Sequence, residues 1–225
     1  FCPFFYFQLS NKFDHNMSYY IELQLFPCID FFKILKREIN MQINIYERFR
    51  KMSFHNRYVV AGANGIVNLT IPIRGGREQK RLITDVEIDD TSDWQKKHWR
   101  TLVSGYAKAP FFDYYSEEIK ALIFNEEKSL ANFNIFILEK LLNWLNINIV
   151  NYNSSSEQAF SREFHNTLLP RNFQNNDLDW KPKYAQVFED RIGFQPNLSV
   201  IDLLFNVGPA SSGLLMMVVF KWPFF

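Results

Sequence analysis

The chain has 225 residues and a balanced charge, with 25 Lys and Arg against 24 Asp and Glu. This length suits one α/β domain, and a net charge of +1 offers no global field for nucleic acid, so no nucleic-acid partner is expected. The two cysteines, Cys2 and Cys28, have no metal-ligand spacing and favour a reducing compartment. No apolar run approaches the roughly 20 residues that span a bilayer, so we expect a cytoplasmic protein without membrane insertion.

The N-terminal part predicts an extension followed by a strand and a helix. Residues 1–16 show no clear hydrophobic period, and we expect them to be a disordered extension or a misassigned start. Apolar residues then alternate with polar ones over 19–26, which predicts a half-buried strand. A helix over 29–35 and a second strand over 43–49 follow. We therefore place the domain at 17–208 and an atypical tail at 209–225.

The clearest local prediction is a β-hairpin over 58–73. Asn64 and Gly65 tolerate the positive φ angles of a type I′ turn, and Pro72 places its strand at an edge or end. A basic loop follows over 74–81. Alternation over 83–89 predicts another strand, with a solvated acidic face.

The second half of the chain is predicted to be mostly helical. Ser92 and Gln95 form a capping-box pattern at the start of a helix that ends before Pro110. A short helix near Ser116, a long amphipathic helix over 130–145 and a final helix over 199–207 follow. The polar run 151–156 is typical of a linker. We expect a single α/β domain: a mixed β-sheet with a hairpin in the N-terminal half, covered by helices mostly from the C-terminal half.

His98 is the strongest candidate for a general base among the four histidines. It shares one helical face with Trp94 and Gly105, and partial burial there can adjust an imidazole for proton transfer. A semi-buried histidine bonded to backbone is the open alternative, and His55 is the second candidate. Beside it, Asn56 and Arg57 are candidate substrate ligands, since Arg binds carboxylate or phosphate in a bidentate manner. A structural ion pair for Arg57 is equally open.

Two further segments offer groups for substrate. Arg77 belongs to the basic loop 74–81, which either closes over a phosphorylated ligand or is simply solvated. Asn197 and Ser199 precede the last helix, whose N-terminus is a ready anion site, although Ser199 and Asp202 also fit a reciprocal helix cap. Asp202 and Glu189 are candidate acid or base groups, and Glu189 can instead pair with a nearby cation. No His, Cys or Asp spacing resembles a zinc site, and no cofactor is expected.

Several dispersed motifs in one order carry a family resemblance. They include Glu22–Pro27, Lys51–Arg57, Val59–Gly65, Trp94–Arg100, Tyr106–Phe112 and Gln186–Phe205. Together they resemble the WbqC-like protein family, whose members are associated with gene clusters for O-antigen and other surface polysaccharides. The resemblance implies that Asn56, Arg57, His98, Asn197 and Asp202 lie at or near one shared site.

The same resemblance implies a function. It points to a transferase of surface-polysaccharide biosynthesis that adds an aminoacyl (glycine-like) or similar small group to an amino sugar or sugar nucleotide. His98 would then deprotonate the amine, Arg57 would hold a phosphate or carboxylate, and Asp202 or Glu189 would orient the amine. The alternative is a non-catalytic ligand-binding or scaffold protein of the same pathway. Whether the protein forms a homo-oligomer is left open.

Overall fold

A computed structural model describes residues 18–37, 41–75, 81–147, 151–153, 161–163, 168–174 and 181–216. The predicted extension over 1–16, the candidate ligand Arg77 and residues 217–225 lie outside these ranges. The strands are β1 (Ser18–Glu22), β2 (Met41–Asn44), β3 (Arg57–Gly62), β4 (Gly65–Thr70), β5 (Asn151–Asn153) and β6 (Ser161–Glu163). The α-helices are α1 (Ile29–Arg37), α2 (Trp94–Tyr106), α3 (Phe112–Ile123), α4 (Leu130–Trp144), α5 (Glu189–Ile192), α6 (Val200–Val207) and α7 (Ser211–Met216).

The predicted α/β class is confirmed, and the strands pair in two sheets. Four parallel strands follow the order β5-β2-β1-β6, with α1 as the crossover between β1 and β2. The hairpin β3–β4 forms a separate antiparallel sheet. The polar run at 151–156 was expected to be a linker, but its first three residues form β5, because Tyr152 pairs with Ile43 of β2.

The first strand differs from its prediction in burial. It was expected to be half-buried, but Glu22 is 1% exposed and Gln24, just beyond the strand, is 0% exposed. The reason is its position, since β1 lies between two other strands and strands inside a parallel sheet are usually covered on both faces. The polar positions of this segment are therefore buried polar groups that need partners.

The hairpin is confirmed, with a different turn. Its loop consists of Ala63 and Asn64, and Gly62 pairs with Gly65. Gly65 has a φ of 127°, whereas Asn64 is absent from the residues with positive φ, so the predicted type I′ turn does not form. The strand predicted over 83–89 is also wrong. A 3₁₀ helix occupies Ile83–Asp85, and Ile88 makes only an isolated bridge, to Ile73.

The helices follow the apolar periodicity of the sequence, but the N-cap of α2 and the start of α3 differ from those predicted. Asp93, rather than Ser92, is the N-cap of α2, and it makes no side-chain capping bond, so the predicted capping box does not form. Helix α3 begins at Phe112, earlier than predicted, while Ser129 caps α4 through the backbone N–H of Asn132. Beyond α6, Leu215 of α7 is buried and Lys36 of α1 donates to the Ser212 backbone oxygen.

The core positions α2, β3 and α6 against one another. Tyr58, Leu102, Tyr106, Leu203 and Phe205 are essentially fully buried where these elements meet. The backbone of Ser199, just before α6, donates to Val59 of β3 at 2.8 Å. This three-element contact carries His98 and Asp202 into the same part of the molecule.

Candidate functional site

A groove of about 990 Å³ separates α2 from the hairpin. Its volume is at the upper end of the roughly 300–1,000 Å³ typical of small-molecule sites. We call it the α2–β4 groove and define it by six of its polar lining residues: Asn68, Thr70, Lys97, His98, Arg100 and Ser104. Ser92, Asp93, Lys96 and Thr101 also line it, as does Phe188, which precedes α5.

The groove carries unbalanced positive charge. Lys96 is paired with Asp93 at 2.9 Å. Lys97 and Arg100 are exposed on the same helix, and within the described part of the chain neither has a carboxylate partner. A ligand with phosphate or carboxylate groups therefore matches the charge of this wall.

His98 lies beneath the groove and is only 2% exposed. Its Nε2 is 3.3 Å from the Thr70 carbonyl oxygen, which can only accept, so the ring proton is on Nε2. Nδ1 then accepts from the Tyr58 hydroxyl, also at 3.3 Å. Burial lowers the pKa of His98 to about 4, so the imidazole is neutral at pH 7.

Asp202 is fully buried at the start of α6 and is held by three neutral donors. Tyr106 donates to Oδ1 at 2.7 Å, while Tyr184 and Gln186 donate to Oδ2 at 2.5 and 2.9 Å. The carboxylate is thus satisfied without a counter-ion. Burial raises its pKa, and the three hydrogen bonds oppose that rise.

The predicted reciprocal cap at α6 is only half present. Ser199 accepts from the backbone N–H of Ile201, as predicted. The Asp202 side chain accepts from Tyr106 and Tyr184 instead of forming the second bond of the cap. The Ser199 hydroxyl also donates to the Phe26 carbonyl oxygen. Asn197 accepts from the backbone N–H of Asp30 at 2.7 Å. Ser199 and Asn197 therefore connect α6 to the segment after β1.

Glu189 lies near the groove, next to Phe188, and its side chain is exposed. Its Oε2 accepts from the backbone N–H of Gln186, whose side chain in turn donates to Asp202. Hydrogen bonds thus link Glu189 to Asp202 through Gln186, and Asp202 to β3 through Tyr106. His98 contacts β3 separately, through Tyr58.

Asn56 and Arg57 lie where β3 begins. Asn56 donates to the Ile71 carbonyl oxygen at 2.7 Å and so holds the open end of the hairpin together. Arg57 pairs with groove-lining Thr70 across the ladder, but it does not line the groove itself. Its Nε is buried without a hydrogen-bond partner among the described residues.

A second polar cluster lies at the carboxyl ends of β1 and β2, and of its members the sequence analysis named only His55 as a candidate. We call it the sheet-edge cluster and define it as Glu22, Glu47, Arg50 and His55. The Arg50 guanidinium contacts Glu22 Oε2, and His55 Nε2 lies 3.7 Å from that oxygen and 3.4 Å from Glu47 Oε1. In parallel sheets this edge is the usual location of ligand sites.

The charged groups of the sheet-edge cluster lie close together in a buried environment, which shifts the pKa of Glu22. Burial raises the pKa of Glu22 to about 7, with His55 and Arg50 opposing the shift and Glu47 adding to it. The sequence signal was present, because Glu22 and Gln24 interrupt an otherwise apolar strand. They were assigned to a solvated face, since alternation alone cannot tell whether a second layer covers that face.

Comparisons with known proteins identify the family. The model of the WbqC-like protein family matches residues 24–170, which is more than half of the chain. The chain belongs to the WbqC-like family. The matched segment includes Arg57 and His98 and ends before Glu189, Asn197, Ser199 and Asp202.

This WbqC-like protein is also 25% identical to the uncharacterized protein Rv1507c of Mycobacterium tuberculosis over 190 residues. That similarity covers 72% of this chain and 80% of the mycobacterial protein. No solved structure matches the chain. Among the described residues, no helix combines the length and apolar character needed to cross a bilayer.

Proposed function

We propose that this WbqC-like protein is a transferase of surface-polysaccharide (O-antigen type) biosynthesis. It adds an aminoacyl or similar small group to an amino sugar or sugar nucleotide held in the α2–β4 groove. The supporting observation is a groove of about 990 Å³ whose helical wall presents Lys97 and Arg100, two cations that have no carboxylate partner among the described residues. A sugar nucleotide matches both features, because its diphosphate is anionic and its sugar and base need volume.

In the proposed transfer the sugar amine attacks the acyl carbon of an activated donor, and the bond from that carbon to the donor's leaving group breaks with its electron pair going to the leaving group. The chemistry assigned to His98 is removal of the proton from the attacking amine. Nitrogen is positively charged and strongly acidic at that stage, so a weak base suffices. His98, with a pKa of about 4, is neutral and ready to accept at pH 7. Proton uptake requires the Tyr58 hydroxyl, which lies 3.3 Å from Nδ1, to release that nitrogen. Glu189, exposed beside the end of the groove, is assigned to hold the amine.

Binding is the first test, with UDP-N-acetylglucosamine and UDP as probes. We expect the Lys97→Met/Arg100→Met double variant to bind at least tenfold more weakly than the wild type, or about 1.4 kcal/mol. Lys108→Met is the matched control, since Lys108 is exposed beyond α2 and outside the groove. Equal affinity in the double variant and the control, measured by calorimetry, would place the ligand elsewhere or remove sugar nucleotides as its class.

Transfer is the second test. The protein is incubated with an amino-sugar nucleotide and activated glycine donors, and the sugar is analysed for an added glycyl group by mass spectrometry. We expect product with the wild type and strongly reduced kcat with His98→Gln, while the KM for the sugar changes little. Ligand binding without product from any donor would reject the transferase.

The second candidate is a non-catalytic binding protein of the same pathway. It is favoured by the fact that both nitrogens of His98 and both oxygens of Asp202 already have partners inside the protein. In that case His98→Gln changes stability and leaves ligand affinity intact. The binding and transfer tests together separate the two candidates.

A further inference from the structure

The sheet-edge cluster contains a buried nitrogen without a hydrogen-bond partner. His55 is completely buried, and its Nε2 makes no hydrogen bond within the described residues. Both neighbouring oxygens belong to carboxylates, Glu22 at the end of β1 and Glu47 after β2. A buried polar atom without a partner is costly, so its retention between two carboxylates points to a missing ligand.

We propose that Glu22, Glu47 and His55 form a binding site for one divalent transition-metal ion, of which Zn²⁺ is the representative. The proposal is independent of the transferase function and concerns a different part of the molecule from the α2–β4 groove. Three ligands of one nitrogen and two oxygens suit zinc and its neighbours better than Ca²⁺ or Mg²⁺, which prefer oxygen alone.

The distances support this assignment. In tetrahedral zinc sites with bonds near 2.0–2.1 Å, the ligand atoms lie about 3.3–3.4 Å apart. His55 Nε2 is 3.4 Å from Glu47 Oε1 and 3.7 Å from Glu22 Oε2, and the three ligand atoms all lie within 4.8 Å of one another. A contraction of at most about 1.4 Å therefore closes the site, and the fourth position stays open to water or substrate, as in catalytic zinc sites.

The neighbours position these ligands. The backbone N–H of Leu23 donates to Glu47 Oε1, and the Gln24 amide donates to Glu22 Oε1. Asn134 of α4 donates to the His55 carbonyl oxygen at 2.7 Å and holds the histidine in place. Such surrounding hydrogen bonds orient the ligands of known metal sites.

Two features must change when the ion binds. Arg50 contacts the same Glu22 oxygen, so its side chain, which is 35% exposed, must withdraw into solvent. His55 Nδ1 accepts from the Arg50 backbone N–H at 3.3 Å, and this contact is lost because the ring proton must move from Nε2 to Nδ1. The contact is longer than the usual 2.9–3.0 Å and is therefore weak. Arg50 is thus predicted to compete with the metal.

Zn²⁺ binding to the full chain tests the proposal. After removal of metal with EDTA and of the chelator by dialysis, native mass spectrometry gives the stoichiometry, and competition with a chromophoric chelator gives the Kd. We expect one Zn²⁺ per chain and at least tenfold weaker binding in both Glu47→Gln and His55→Gln. Glu117→Gln is the matched control, because Glu117 is exposed on α3 and remote in sequence from the cluster. Mg²⁺ should not compete.

Arg50→Gln adds an outcome that a purely structural ion pair does not predict, because removing the competing charge should tighten Zn²⁺ binding severalfold. Co²⁺ provides a spectroscopic check, with visible tetrahedral bands that Glu47→Gln abolishes. If His55→Gln fails to fold, Glu47→Gln still decides, since the Glu47 side chain is 12% exposed and its replacement is isosteric. The proposal is overturned if the wild type does not bind one Zn²⁺ per chain when Zn²⁺ is present at 100 times the protein concentration. It is also overturned if Glu47→Gln and Glu117→Gln bind Zn²⁺ equally well, or if Arg50→Gln does not bind Zn²⁺ more tightly than the wild type.

Discussion

Asp202 and Glu22 are both carboxylates that the fold removes from water, but their surroundings differ. Asp202 accepts from two tyrosines and a glutamine, all neutral. Glu22 contacts a guanidinium and lies beside a second carboxylate and the His55 Nε2, which makes no hydrogen bond to any residue that the structure describes. The first arrangement is complete, which is typical of a structural network. The second is incomplete, which is typical of a site that awaits a ligand.

The largest expected effect tests whether the Asp202 network is structural. Asp202→Ala leaves Tyr106, Tyr184 and Gln186 without their shared acceptor, so we expect the free energy of unfolding to fall by about 3–5 kcal/mol. Asp202→Asn keeps one acceptor oxygen and should lose about 2 kcal/mol. Urea denaturation at pH 7 measures both. A loss below about 1 kcal/mol in Asp202→Ala would mean that the network contributes little.

His98 can be compared with these two carboxylates, because it is a buried base whose two ring nitrogens both have hydrogen-bond partners. Its pKa of about 4 lies below the ordinary 6.5, so the unfolded chain takes up a proton at higher pH than the folded protein does. The stability it contributes is present above pH 6.5 and lost as the pH falls towards 4, by about 3 kcal/mol in total.

The difference in unfolding free energy between wild type and His98→Gln isolates this contribution. It should shrink between pH 7 and pH 4, and NMR should place the titration of the His98 ring near pH 4. A difference that is constant with pH would show that the imidazole is not desolvated as the structure indicates.

The two tyrosines of the Asp202 network allow a finer comparison. Tyr106 is fully buried, and its hydroxyl also accepts from the Ala61 backbone N–H, so Tyr106→Phe breaks two bonds. We expect a loss of about 2 kcal/mol, against about 1 kcal/mol for Tyr184→Phe. The Tyr184 hydroxyl also makes two hydrogen bonds, donating to Asp202 and accepting from Gln186, but Tyr184 is only partly buried, so water can replace these bonds more easily. Thermal and urea unfolding of the two variants measure the order, and the reverse order would contradict the assignment of Tyr106 as the link between β3 and α6.

The smallest effect is expected at the sheet-edge cluster in metal-free protein. Glu47→Gln keeps an oxygen for the Leu23 N–H at 3.2 Å and removes one of two neighbouring negative charges. The free energy of unfolding should change by less than about 1 kcal/mol. A loss as large as that of Asp202→Asn, again from urea denaturation at pH 7, would show that the cluster is a complete structural network and would erase the comparison.

Local patterns predicted many of the elements. The apolar spacing of α4, the helix after Pro27 and the hairpin around Gly65 all depend on side chains a few residues apart. At 83–89 the prediction failed: acidic alternation suggested a strand, yet Glu87 and Ile88 make only isolated bridges, to Ser129 before α4 and to Ile73 after the hairpin. Tertiary contacts decided this case.

His98, Asp202 and Glu189 were named as site residues from residue type and position, and their catalytic roles stay predictions; the structure links Glu189 to Asp202 through Gln186. Their surroundings were not predictable. Tyr106 and Tyr184 have no local signal that marks them as partners of Asp202, because the contacts join α2, α6 and the segment before α5. Lys97 and Arg100 became notable only when the hairpin closed a groove beside them.

By itself the sequence determined the α/β class, the periodic helices, the hairpin and the family resemblance, since each of these is carried by residue order. Only the tertiary structure decided which polar residues are buried and what they meet. Glu22 comes to lie beside Glu47 and His55 because it pairs with Asn44 at the end of β2, where the chain leads to Glu47. Local alternation is the same for a strand covered on one face or on two, so the desolvation of Glu22 is a property of the assembled layers.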